Sequence, residues 1–378
     1  MIRLRGITWD HPRGFQPLAA SAEPYAQMTG VRVEWEKRSL KDFGDAPIDQ
    51  LARDYDVLIV DHPHVGLAEA TQCLIPLEEH ISADTMASLA EQSAGPSHES
   101  YFYHGHQWVL AADAAMQAGA YRPDLMDMDF PDNWDAVLKL AHELRAVGRW
   151  MAVPLVPTDC ICAFLSLCAS LGDPPGQRGD LLADDAVGLH ALELLKQFVT
   201  ASHPQSTTWN PIRMLDHMSS DDDVAYCPLT FTYTNYSRDG YAPKPVRFTN
   251  MPGVRGALLG GAGYAVSSYC QHIPEAVAYG VWLCGAEVQR TLYVEDGGQP
   301  GNGIAWHDNH ANEITHDFFR STWDTLANAY VRPRHNGYHS FQEQAGNRIH
   351  GMLVEHGEIQ HCLATLKTLY RLSNPQGA

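Results

Sequence analysis

Two periods of apolar and polar positions alternate near the start of the chain, and each switch between them predicts an element. Ile2-Arg3-Leu4-Arg5 alternates as a strand and opens onto Trp9-Asp10-His11-Pro12-Arg13-Gly14. Phe15, Leu18, Ala22, Tyr25 and Met28 then recur at helical spacing, and Val31-Arg32-Val33-Glu34-Trp35 returns to alternation. After a short helix comes Val57-Leu58-Ile59-Val60, an unbroken apolar run ending in Asp61-His62-Pro63-His64. Continuous apolar strands between helices predict a parallel sheet covered on both faces. In open sheets of that kind ligands bind in the crevice beyond the strand carboxyl ends, where both polar loops fall.

The rest of the chain predicts a second lobe joined to the first by more than one crossing. A helix pair reaches about Ala94, and a strand follows through Val109-Leu110-Ala111-Ala112-Asp113. Trp134, Val137, Leu138, Ala141 and Leu144 make one helix face, with Asp132 or Asn133 as its N-cap. Another helix covers about 184–201. Val224-Ala225-Tyr226-Cys227-Pro228-Leu229 reads as a strand that runs into the aromatic and hydroxyl-rich stretch Thr230 to Tyr236. Pro274 suits the first turn of a helix to about Val288. The last fifty residues read as helical, with Ile349, Leu353, His356, Ile359 and Leu363 along one face.

Composition narrows the classes. A chain of 378 residues exceeds one ordinary core, which also favours two lobes. The net charge of -19 argues against nucleic acid as a partner. No apolar stretch reaches the ~18 residues of a membrane span. Met1 runs straight into the first strand without a basic or apolar leader, and the eight cysteines include no CxxC pair. The expectation is a cytoplasmic chain, or a periplasmic one if a leader has been removed. Among the 20 histidines, His62-x-His64 and His104-x-His106 have the spacing of a strand-borne ligand pair. With no HExxH and no Cys/His quartet, neither a metal nor a cofactor is expected.

Four motifs in order carry a family resemblance. They are Gly105-His106-Gln107-Trp108-Val109-Leu110 with Gly119-Ala120-Tyr121-Arg122-Pro123-Asp124-Leu125; Pro131-Asp132-Asn133-Trp134-Asp135-Ala136-Val137; Gly260-Gly261-Ala262-Gly263-Tyr264-Ala265-Val266; and Ala276 to Ala286 followed by Gly301-Asn302-Gly303-Ile304-Ala305. Their order resembles the family 1 extracellular solute-binding proteins of bacterial ABC importers, a group rich in sugar and oligosaccharide binders. The resemblance implies a type II periplasmic-binding-protein-like α/β fold, with two lobes, each a mixed sheet flanked by helices, and a hinge between them. Lobe one would take 1–110 with 257–308, and lobe two 111–256 with 309–378. A monomer would hold a small molecule between the lobes, close by hinge bending and meet ABC permease subunits.

Candidate ligand contacts follow from the loops. They are Trp9, Asp10, His11 and Arg13; Asp61, His62 and His64; Asp113 past the crossing; and Trp209, Asn210, Tyr233, Asn235 and Tyr236 from lobe two. Gly261 and Gly263 would let backbone amides approach the ligand, and Trp306 stands near the last crossing. For each, core packing or a solvated turn is the competing explanation. Rings interleaved with amides fit a sugar or polyol, or a quaternary amine such as a betaine; Arg13 and the histidines also suit a small acid. The alternative is a cytoplasmic enzyme on the same fold, with Cys227 facing the cleft as nucleophile or Asp61 or His62 as base. No motif supports a specific reaction, and no residue is assigned as catalytic.

Overall fold

The computed structural model describes residues 2–40, 43, 47–126, 129–179 and 181–374. Met1 and 375–378, the ends of the two expected lobes, lie outside the described residues. Strand β1 (Ile2–Trp9) pairs in parallel with β2 (Val31–Arg38) along its whole length, and with β3 (Val57–Val60) at Gly6 and Ile7. Between β1 and β2 runs α1 (Pro12–Thr29), closed by Gly30 in the left-handed conformation that glycine adopts without a steric cost. All four residues of β3 are buried, as the apolar run predicted.

After the separate hairpin Phe102–Tyr103 and His106–Gln107, the main sheet continues with β4 (Leu110–Tyr121), β5 (Trp150–Met151), β6 (Val224–Phe231) and β7 (Arg247–Thr249). The last, β8 (Leu259–Val266), lies antiparallel to both β3 and β4. Among the described residues these form one mixed sheet in the order β2-β1-β3-β8-β4-β6-β5, with β7 also on β4. The sheet is continuous, but the cores on it are not. Leu110 and Ala112 of β4 pack with Leu4, Val57 and Tyr264. Ala114, Met116, Ala118 and Ala120 of the same strand pack in a separate core with Phe164, Leu195 and Leu229. Strand β8 divides likewise, with Tyr264 in the first core and Leu259 in the second. A third cluster around Ile7, Leu58, Val60 and Trp108 backs the first lobe. Two lobes therefore hang on two shared strands.

The second lobe is mostly helical. Asn133 caps α2 (Trp134–Ala146) by accepting the Ala136 N–H at 2.9 Å. Helix α3 (Pro157–Ser170) is buried from Asp159 to Ala169, as a helix enclosed on every side must be. Around it stand α4 (Asp185–Ala201), α5 (Pro211–Ser220) and, after the return through α6 (Ile273–Cys284) in the first lobe, α7 (Tyr338–Val354). The C-terminal helical stretch breaks where one face was expected. His356 is exposed with φ 56, a turn between α7 and the helix Ile359–Ser373, while Ile349, Leu353 and Leu363 stay buried. No helix among the described residues is long and apolar enough to cross a membrane.

Candidate functional site

A cavity of about 490 Å³ opens where β4 and β8 pass between the lobes, a size typical of small-molecule sites. Ala115, Gly260, Gly261 and Ala262 line it from the shared strands. Trp9, Leu40, Phe43 and Asp61 come from the first lobe; Asp159, Cys162, Asn210, Phe231 and Tyr233 come from the second. Arg332 and the α7 side chains Gln342, Glu343 and Asn347 complete it.

The loop after β1 is built around a missing side chain. A Cβ at Gly14 would lie 2.2 Å from the Trp9 ring, so glycine lets the indole fold over the start of α1. That leaves Trp9 against Phe43, ring centres 4.9 Å apart, as one apolar surface. His11 caps α1, its Nδ1 accepting the Arg13 N–H at 3.1 Å. Arg13 in turn grips β4. Its Nε donates to Asp113 at 2.9 Å, its Nη2 donates to the other carboxylate oxygen, and its Nη1 donates to the Thr232 carbonyl at 2.6 Å. Burial works against the guanidinium charge, but Asp113 holds the Arg13 pKa above its ordinary value. A two-pronged arginine–carboxylate contact is directional as well as strong, so it fixes α1 on the crossing.

A second ion pair, its arginine buried and its carboxylate partly exposed, closes another side. Arg332 donates through Nη2 to Asp61, through Nη1 to Gln342 at 2.9 Å and through Nε to His62 Nε2 at 3.3 Å. Burial opposes the charge of Asp61, yet Arg332 and then His62 hold its carboxyl below the usual range. Burial pushes His62 down to about 4. The imidazole therefore stays neutral at pH 7 and can accept from Arg332.

Trp9, Arg13, Asp61, Asn210, Tyr233 and Gly261 thus share the cavity, while the other expected contacts lie elsewhere. Asp10 is exposed and pairs with Lys37 at 2.7 Å. His11 lies behind the wall, 4.8 Å ring to ring from Tyr233, and Asp113 is covered by Arg13. His64 is buried and stacked on His339 at 4.0 Å. Trp209 stacks on His203 at 4.7 Å, Asn235 donates to the Gly297 carbonyl at 3.1 Å, and Tyr236 donates to Asp216 at 2.6 Å. Gly263 makes room for Val109, whose Cγ1 would meet a Cβ at 2.4 Å. Trp306 is fully buried, its Nε1 donating to the Pro300 carbonyl at 2.7 Å. Cys227 does not face the cleft; it is enclosed in the second core, and burial pushes its thiol up.

One histidine cluster has metal-like spacing. Ligand atoms of His203, His217 and Asp223 lie within 4.8 Å of one another. His203 Nδ1 accepts the Gln205 N–H at 3.2 Å, which puts the ring proton on Nε2, 3.2 Å from Asp223. His217 Nε2 meets the other carboxylate oxygen at 2.7 Å, so the cluster satisfies itself.

Sequence reasoning missed Leu40, Phe43, Asp159, Cys162, Arg332, Gln342, Glu343 and Asn347. One local signal existed: Asp159 is a lone acid opening the otherwise apolar run Cys160-Ile161-Cys162-Ala163-Phe164-Leu165. Nothing marks Arg332, because its partners are far away in sequence.

No protein-family profile matches this sequence, and no curated protein is similar to it. Solved structures are. Maltose-bound MalE3 of T. maritima superposes with a TM-score of 0.83 at 17% identity, covering 98% of this chain and 100% of that one. An ABC-transporter solute-binding protein of Thermotoga lettingae bound with α-D-tagatose gives 0.82 at 14% identity, over 99% and 100%. One from Agrobacterium radiobacter in complex with ribitol gives 0.81 at 17%, over 98% of each. The chain has the two-lobed fold of ABC-transporter solute-binding proteins, as the order of its motifs implied.

Proposed function

We propose that this chain binds a small polar solute in the cleft between its lobes and closes on it by hinge bending, as the substrate-binding component of an ABC importer. The observation that carries the reading is the cavity at the crossing strands, walled from both lobes. The bend would fall near Asp113, Gly261 and Gln299. The Gln299 Nε2 donates to the Ala114 carbonyl at 2.7 Å and to Thr232 at 3.1 Å, which ties the segment before Trp306 to β4 and to the stretch after β6. Maltose, tagatose and ribitol in the similar structures point to a polyhydroxylated solute. The Trp9–Phe43 surface suits the C–H face of such a molecule, and the amides of Asn210 and Asn347 suit its hydroxyls. One chain completes the cleft, so a monomer would present the closed form to the permease subunits. Binding fits the wall better than nucleophilic attack does: Cys162 is its one thiol, and burial pushes it up to about 12.

The test is a thermal-shift and calorimetric screen over sugars, polyols, betaines and small acids. A bound solute at a hundredfold its Kd should stabilise the fold by about 2.7 kcal/mol. The reading fails if no class raises the melting temperature, or if the bound solute is turned over.

A further inference from the structure

We propose that the solute taken by this cleft carries a protonated amine, held by the Asp159 carboxylate and lying against the aromatic wall. The inference rests on the solute-binding reading and narrows it to one chemical class, hydroxylated amines such as amino sugars and amino polyols.

Asp159 carries the argument. It lines the cavity, is only 5% exposed, and has no hydrogen-bond or ion-pair partner among the described residues. Its place in the first turn of α3 favours a negative charge, yet no backbone N–H reaches it. Burial alone pushes its carboxyl well above the usual range. A carboxylate set this deep in a cavity wall without a protein partner is costly to ionise, and a cation arriving with the ligand removes that cost.

The remaining charges of the cavity give the sign. Arg13 is committed to Asp113 and Arg332 to Asp61, so neither guanidinium is left for a ligand anion. Glu343 adds a second carboxylate with no base opposite it among the described lining residues. Among the described lining residues an anionic solute would meet no unpaired base. A neutral sugar could hydrogen-bond to Asp159, but only a cation favours the ionised form that burial opposes. The rings shape the site rather than charge it: Arg13 already lies over Trp9 and Tyr233 and Arg38 over Phe43, so Asp159 is the group that would hold the ammonium while the rings pack against the carbon skeleton.

Matched pairs separate the amine from the hydroxyl. Glucosamine with glucose, galactosamine with galactose, and glucamine with sorbitol are titrated calorimetrically at pH 7 against the wild-type chain, D159N and E343Q. The amines should bind on the order of thirtyfold more tightly than their neutral partners, and D159N should erase that gap. E343Q, at an exposed position, should narrow the gap without abolishing it, and its folding is not in question. Circular dichroism and a melting curve of D159N check that the variant folds before its affinities are compared. Neutral sugars binding as tightly as the amines, with D159N without effect, would overturn the inference and leave the solute-binding reading intact. Silence from both members of every pair would overturn the inference, and silence across the wider screen as well would sink both.

Discussion

Arg332, buried, and Asp61, partly exposed to the cavity, meet in an ion pair although they stand 271 positions apart in sequence. One belongs to the segment that leads into α7, the other ends β3, so the contact closes one side of the cleft. Gln342 and His62 share the guanidinium, leaving it little freedom to turn away.

Removing one member of that pair strands the other. Arg332→Met should destabilise the fold by about 1–3 kcal/mol, because Asp61 is then a partly buried charge without its counterpart. The double variant Arg332→Met with Asp61→Leu should recover most of the loss. Urea denaturation of the two variants checks this; equal losses would show that the charge pairing is not what holds the contact.

Acid should destabilise the protein earlier than carboxylate titration would. Burial lowers His62 from 6.5 to about 4, and lowers His11, with help from Arg13, from 6.5 to about 3. Below pH 6.5 the unfolded chain takes up protons that the folded chain refuses, so this stability is complete above 6.5 and drains away as pH falls towards 4 and 3. At ~1.4 kcal/mol per pKa unit, His62 alone contributes roughly 3 kcal/mol. Folding free energy measured from pH 7 to 4 should fall steeply, and His62→Gln should flatten the curve.

Two glycines should respond to alanine with opposite signs. Gly261 has φ +103, and a Cβ there would lie 2.4 Å from the Asp113 carbonyl oxygen, so Gly261→Ala should cost roughly 1–3 kcal/mol and weaken solute binding. Gly351 sits inside α7 with nothing within 4 Å of its would-be Cβ. Gly351→Ala should stabilise by roughly 0.5–1 kcal/mol. Melting curves of the two variants decide the matter.

All eight cysteines are free and buried. A thiol reagent at neutral pH should therefore modify none of them quickly in the native protein, and all of them after denaturation. Cys162 lines the cavity, so it should be the first to react on prolonged exposure, and a bound solute should slow it.

Much of this was legible in the residues. The apolar run Val57–Val60 followed by Asp61, and the alternation of β1 followed by Trp9 and Arg13, mark strand ends whose residues line the cavity. Trp209 and Tyr236 misled for the same reason that they attracted notice. Aromatic and polar character is visible in a sequence, but the direction of a ring is not, and theirs turn to His203 and Asp216.

Local periodicity determined the strands, the helices and their caps, because each element must bury its own apolar face whatever it packs against. Tertiary structure alone decided the cleft. It lies where two cores on a shared sheet fail to merge, and its charges come from wherever distant segments arrive. Asp159 became a lone carboxylate, and Arg332 a spoken-for cation, only when α3 and the approach to α7 closed around the end of β3.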